Sequence, residues 1–184
     1  MPNLRILFAR AKDPAAQDVL TCIRSDGSRT WSRLHAAFPI HDMTHYALET
    51  EIGAKAGFFG LLAQGWDITD FGVPEKRARM PLEALWVEHV VGIVWREYVT
   101  RDAGSYPEFC EAVNATVHAL RESLSRNLTR QGPRADYYAA EQAVLDRVVS
   151  EESRATIMNR IGELAAQWAQ TPRGEIMELP FAVS

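Results

Sequence analysis

The chain has 184 residues, 47% of them apolar and 24% charged, with a formal net charge of −4 and a pI near 5.7. A chain of this size buries a core without disulfides or a structural metal, and one domain over residues 1–184 is expected. The acidic balance supplies no field to hold nucleic acid, no run of about 18 apolar residues offers a membrane span, and Cys22 and Cys110 lack CxxC spacing, so a reduced, cytoplasmic setting is expected.

Leu4 to Ala9 reads as a strand, and Arg5 and Arg10 interrupt it too soon for a signal peptide. Val19 to Arg24 and Thr30 to Leu34 flank Ser25-Asp26-Gly27-Ser28, whose Asp-Gly pair is a hairpin turn signal. Pro39 then precedes a helix predicted to run on through Ala54 to Leu62, with Gly53, Gly57 and Gly60 as its weak points and Gly65 as its stop. In the loop from Gly65 to Pro74, Asp67 and Asp70 stand beside Trp66 and Phe71. Such a segment is either anchored by its aromatics, with the acids forming local turns, or the rim of a pocket.

Pro81 to Thr100 is the most apolar helical stretch, and its apolar residues cover most of the circumference, which predicts a central helix with Trp86 and Ile93 inaccessible. Ser105-Tyr-Pro-Glu108 has capping-box spacing, and Phe109, Val113, Val117, Leu120, Leu124 and Leu128 follow as one stripe that leaves His118, Glu111 and Glu122 facing water. Arg121, Arg126, Arg130 and Arg134 gather toward the end of that helix, as complements to its dipole or as an anion-attracting group. Gln131-Gly-Pro133 breaks the chain before helical segments over 135–149 and 151–170, the second with Ile157, Ile161, Leu164 and Trp168 on its core face. Pro172 and Gly174 precede a last alternating strand, Glu175 to Phe181, expected to join the N-terminal sheet. The fold class is α+β: a small antiparallel sheet from the hairpin region and the terminal strand, packed on four to five helices.

His41, Asp42 and His45 carry the chemistry. On a helix, residues four apart rise about 6 Å and stay nearly in register, so two imidazoles can meet one ion. Asp42 projects about 100° from His41, placed to act as a general base toward water or to orient an imidazole. Glu49 is about 12 Å further along the helix than His41, too far to share its ion, and is expected to orient a histidine or form a salt bridge. A catalytic zinc site usually has three protein ligands, and Glu88 or His89 on the apolar helix could supply the third. Neither a GxSxG elbow nor a phosphate-cradling glycine loop is present.

HDxxH is one methylene short of HExxH, the zinc hydrolase motif whose acid serves as general base. The pentad also resembles the HDxxH of a family of ubiquinone-biosynthesis proteins, in which a Glu twelve positions past the second histidine completes a metal site. That position here is Gly57, so the resemblance carries metal binding to His41, Asp42 and His45 alone, and implies a metal near a quinone head group or a prenyl chain. Together these features predict a divalent transition metal (zinc, manganese or iron), a small-molecule ligand, and hydrolase or lyase chemistry. The alternative is an interaction or structural protein whose histidines serve the fold.

Overall fold

Leu4, Ile6 and Phe8 alternate with more exposed neighbours, the period-two pattern of a sheet with one face on a core. The computed structural model describes residues 3–35, 38–131 and 142–182. In it β1 (Asn3–Ala9), β2 (Asp18–Arg24), β3 (Arg29–Leu34) and β4 (Ile176–Ala182) form an antiparallel sheet in the order β3-β2-β1-β4. The turn between β2 and β3 places Gly27 at φ 84°, the left-handed region that the Asp-Gly pair anticipates. The terminal strand joins as expected, pairing Leu4 with Phe181 and Ile6 with Leu179, at the edge opposite the hairpin.

Six α-helices follow among the described residues: α1 (Phe38–Ile52), α2 (Phe58–Ala63), α3 (Pro74–Arg77), α4 (Leu82–Thr100), α5 (Tyr106–Gln131) and α6 (Glu151–Gln170). The histidine helix does not continue to Leu62. It stops before Gly53, whose φ of 62° cannot extend a right-handed helix, and the chain restarts at α2. The loop after Gly65 forms a 3₁₀ turn, Ile68–Gly72, closed by a reciprocal capping box between Asp67 and Asp70. The capping box of Ser105 and Glu108 is present at the head of α5. A second 3₁₀ turn, Gln142–Asp146, stands where part of a helix over 135–149 was expected. The rest of that expectation, the break at Gly132-Pro133, and Arg134 lie outside the described residues, as do the side chains of Leu124, Arg126, Leu128 and Arg130. Among the described residues no helix is long and apolar enough to cross a membrane.

The central helix is α1 rather than α4. Every residue from Asp42 to Glu49 is buried, because α1 lies between two apolar clusters. Met43 and Tyr46 join the inner face of the sheet with Phe59, Leu164 and Trp168, while Ala47 and Leu48 join Trp86, Val90, Val94, Phe109 and Ile161 on the helical side. Trp86 is inaccessible as expected. Ile93 is only half-buried, since the enclosed stripe of α4 runs through Leu82, Trp86, Val90, Val94 and Glu97. The buried charges of α4 and its neighbours are paired: Glu97 with Arg154 at 3.0 Å, and Glu83 with Arg147. Glu83 also accepts the backbone N–H groups of Lys55 and Ala56, which secures the link from α1 to α2.

Candidate metal centre

Burying a polar group costs free energy unless it is partnered, so buried polar side chains concentrated on one helix point to a site. Of the seven buried polar or charged residues among the described ones, four lie on α1: Asp42, Thr44, His45 and Glu49. Thr44 donates to the carbonyl of Ile40 one turn earlier and belongs to the helix itself. Of the other three, His45 is one of the two imidazoles, Asp42 lies beside His41 and Glu49 beside His45.

The one-turn spacing brings the rings of His41 and His45 to 5.0 Å between centroids. The carboxylate of Glu88 comes in from α4, with Oε2 3.2 Å from Nε2 of His45. One ligand atom each from His41, His45 and Glu88 lies within 4.8 Å of the other two, a cluster that small side-chain shifts would close around one divalent ion. His89 is exposed and outside this trio. It neighbours Glu88 in sequence but is turned about 100° away on the helix, so of the two expected third ligands the geometry brings in Glu88.

His45 is held from both sides. Its Nδ1 is 3.1 Å from Oε1 of Glu49, a carboxylate that is 1% exposed. Burial by itself would lower the pKa of His45, but the hydrogen bonds to Glu49 and Glu88 and the charges of these carboxylates together outweigh it and push the value up to about 10. The hydrogen bond with His45 holds the Glu88 carboxyl down at about 2, against the opposing effect of its partial burial. An ion bound at Nε2 therefore has to displace a proton, whereas Nδ1 keeps its bond to Glu49 in either state.

Asp42 is buried beside His41, with Oδ1 3.6 Å from its Nδ1, and it also lines the adjoining cavity. Behind it, burial and the Asp42 charge raise the thiol pKa of Cys22 on β2, which leaves that cysteine inert. The cavity measures about 380 Å³. Its helical wall carries His41, Asp42, His45 and Glu88, and its opposite wall carries Leu20, Ser32 and Leu34 of the sheet. Phe58, Ile68 and Phe71 also line it, with the ring of Phe58 5.3 Å from that of His45, and Arg33 and His35 add polar groups. Phe71 makes the loop after Gly65 a pocket wall, while Asp67 and Asp70 form the local turn, so both readings of that loop apply to different residues.

Several residues at the centre carried no signal of their own. Trp95 stands edge-on to His41 at 5.6 Å, and Phe58 gave no sign of facing His45. Ser32 was foreseeable only by parity, since it shares the inward face of β3 with Thr30 and Leu34. His118 is exposed beside Glu122, at 3.4 Å, as expected. Comparisons with protein-family models, curated proteins and solved structures return no match for this chain.

Proposed function

We propose that the protein binds one divalent transition metal, zinc, manganese or iron, through His41, His45 and Glu88, and acts on a small molecule in the adjoining cavity as a metal-dependent hydrolase or lyase. The observation that carries this reading is the convergence of three ligand-type side chains from two helices on the wall of a cavity of about 380 Å³. Two histidines and one carboxylate leave coordination positions open, which suits catalysis better than a closed structural site. An ion held there supplies Lewis acidity and lowers the pKa of water.

The chain's own residues do the rest. Asp42 is placed to take a proton inside the cavity, and Leu20, Leu34, Phe58, Ile68 and Phe71 line it to receive the apolar part of a ligand. A quinone head group or a prenyl chain, as the HDxxH resemblance implies, is one ligand of that character. We place the protein in the cytoplasm, on the strength of two unpaired cysteines.

A second reading is favoured by one observation: His45 has a carboxylate on each ring nitrogen, which satisfies both. In that reading the histidines are structural and the protein works by interaction. Elemental analysis of untagged protein separates the two. The metal reading expects about one zinc, manganese or iron per chain, lost in His41→Ala and His45→Ala and kept in Asp42→Asn, which loses turnover. Wild type that stays metal-free after incubation with each ion overturns it.

A further inference from the structure

Gly57 has no conformational reason to be glycine. Its φ of −72° and ψ of −166° are extended backbone that any residue adopts. The reason is space: a Cβ at position 57 would lie 2.5 Å from Oε2 of Glu49 and 2.8 Å from its Cγ. The Glu49 carboxylate thus occupies the volume that a side chain at 57 would fill.

In that volume the carboxylate is fully engaged. Oε1 faces Nδ1 of His45 at 3.1 Å and accepts the N–H of Phe59 at 3.3 Å, and Oε2 accepts the N–H of Gly60 at 3.2 Å. One side chain therefore ties the ring of His45 to the start of α2, the helix that brings Phe58 into the cavity wall. Histidines that ligate metals commonly donate their second ring N–H to a carboxylate, which fixes tautomer and ring orientation.

We propose that Glu49 is the positioning residue of the metal centre, holding His45 so that Nε2 faces His41 and Glu88, and that Gly57 is glycine in order to admit its carboxylate. This inference rests on the metal reading above. Glu49 touches neither ion nor ligand and acts through His45 and α2.

The test is zinc affinity, measured by chelator competition on the full chain, with the visible spectrum of the cobalt-loaded protein as a report of ligand geometry. Removing an orienting partner of this kind typically weakens metal binding by about 10–100-fold. Glu49→Gln, which keeps the shape and one acceptor oxygen but loses the charge, is expected to lose affinity in that range and to shift the cobalt bands. Gly57→Ala is expected to do the same from the other side by displacing the carboxylate. Because both changes act through one contact, Glu49→Ala/Gly57→Ala is expected to bind no more weakly than Glu49→Ala alone.

Should Gly57→Ala fail to fold, Glu49→Gln still decides. Wild-type affinity and an unchanged cobalt spectrum in Glu49→Gln overturn this inference and leave the metal reading standing. Wild type that binds neither zinc nor cobalt overturns both.

Discussion

Alanine in place of a helical glycine ordinarily stabilises, by about 1 kcal/mol, because glycine has more backbone freedom to lose. At Gly60 in α2 the structure reverses that sign. A Cβ there would lie 2.7 Å from the carbonyl carbon of Lys55 and closer still to its oxygen. The obstacle is backbone, so no rotamer change relieves it, and α2 would have to move away from the segment that links it to α1. Forcing extra volume into a packed site costs about 1–3 kcal/mol, and a backbone clash belongs at the upper end, so after the propensity gain Gly60→Ala should be less stable by about 1–2 kcal/mol. Gly92 is the control: it is exposed on α4 and nothing lies within 4 Å of its added Cβ, so Gly92→Ala should gain about 0.5–1 kcal/mol. For a chain of this length each kcal/mol moves Tm by about 2–4 °C. Differential scanning calorimetry on metal-free protein should show Gly60→Ala melting below wild type by about 2–8 °C and Gly92→Ala slightly above it. A Gly60→Ala protein that melts at or above wild type would refute the close approach of α2 to Lys55.

Two further outcomes are expected. Arg154 donates to Glu97 and to the carbonyl of Gly104 from a site where both charged side chains are nearly inaccessible; Arg154→Ala strands the Glu97 charge and should cost about 3–5 kcal/mol in urea denaturation, whereas Arg154→Met/Glu97→Gln should cost much less. In the metal-free protein, the raised pKa of His45 contributes stability that is complete below its ordinary 6.5 and lost as pH rises toward about 10. The lowered pKa of Glu88 contributes stability that is complete above its ordinary 4.5 and lost as pH falls toward about 2. Urea midpoints should therefore be highest for this pair between pH 4.5 and 6.5, and Glu88→Gln should flatten the fall on both sides; a variant whose midpoints track wild type at every pH contradicts the pairing.

The sheet was legible because strand alternation and a turn that demands glycine are local properties, and the pairing of β4 followed from the need of two short segments for a common sheet. The pairing of His41 with His45 was legible for the same reason, four residues being one helical turn. What escaped was set by tertiary contact. The apolar stretch Pro81 to Thr100 reads as the central helix, whereas α1 carries Asp42, Thr44, His45 and Glu49, polar residues that are each buried by contacts distant in sequence. The apolar surround of α4 hid which of its faces meets α1, so Glu88 and His89 could not be told apart and Ile93 was placed too deep. Gly57 read as a weak point in a helix, and only its closeness to Glu49 gives it a different role.

The central claim is that His41, His45 and Glu88 hold one ion, and anomalous X-ray diffraction from crystals grown with zinc, collected across the zinc absorption edge, tests it most directly. The account predicts one anomalous peak about 2.0–2.1 Å from a ring nitrogen of each histidine, with a Glu88 oxygen in the same shell and the hydrogen bond from His45 to Glu49 retained. Crystals that show no peak there, with His45 still bridging Glu49 and Glu88, would contradict it.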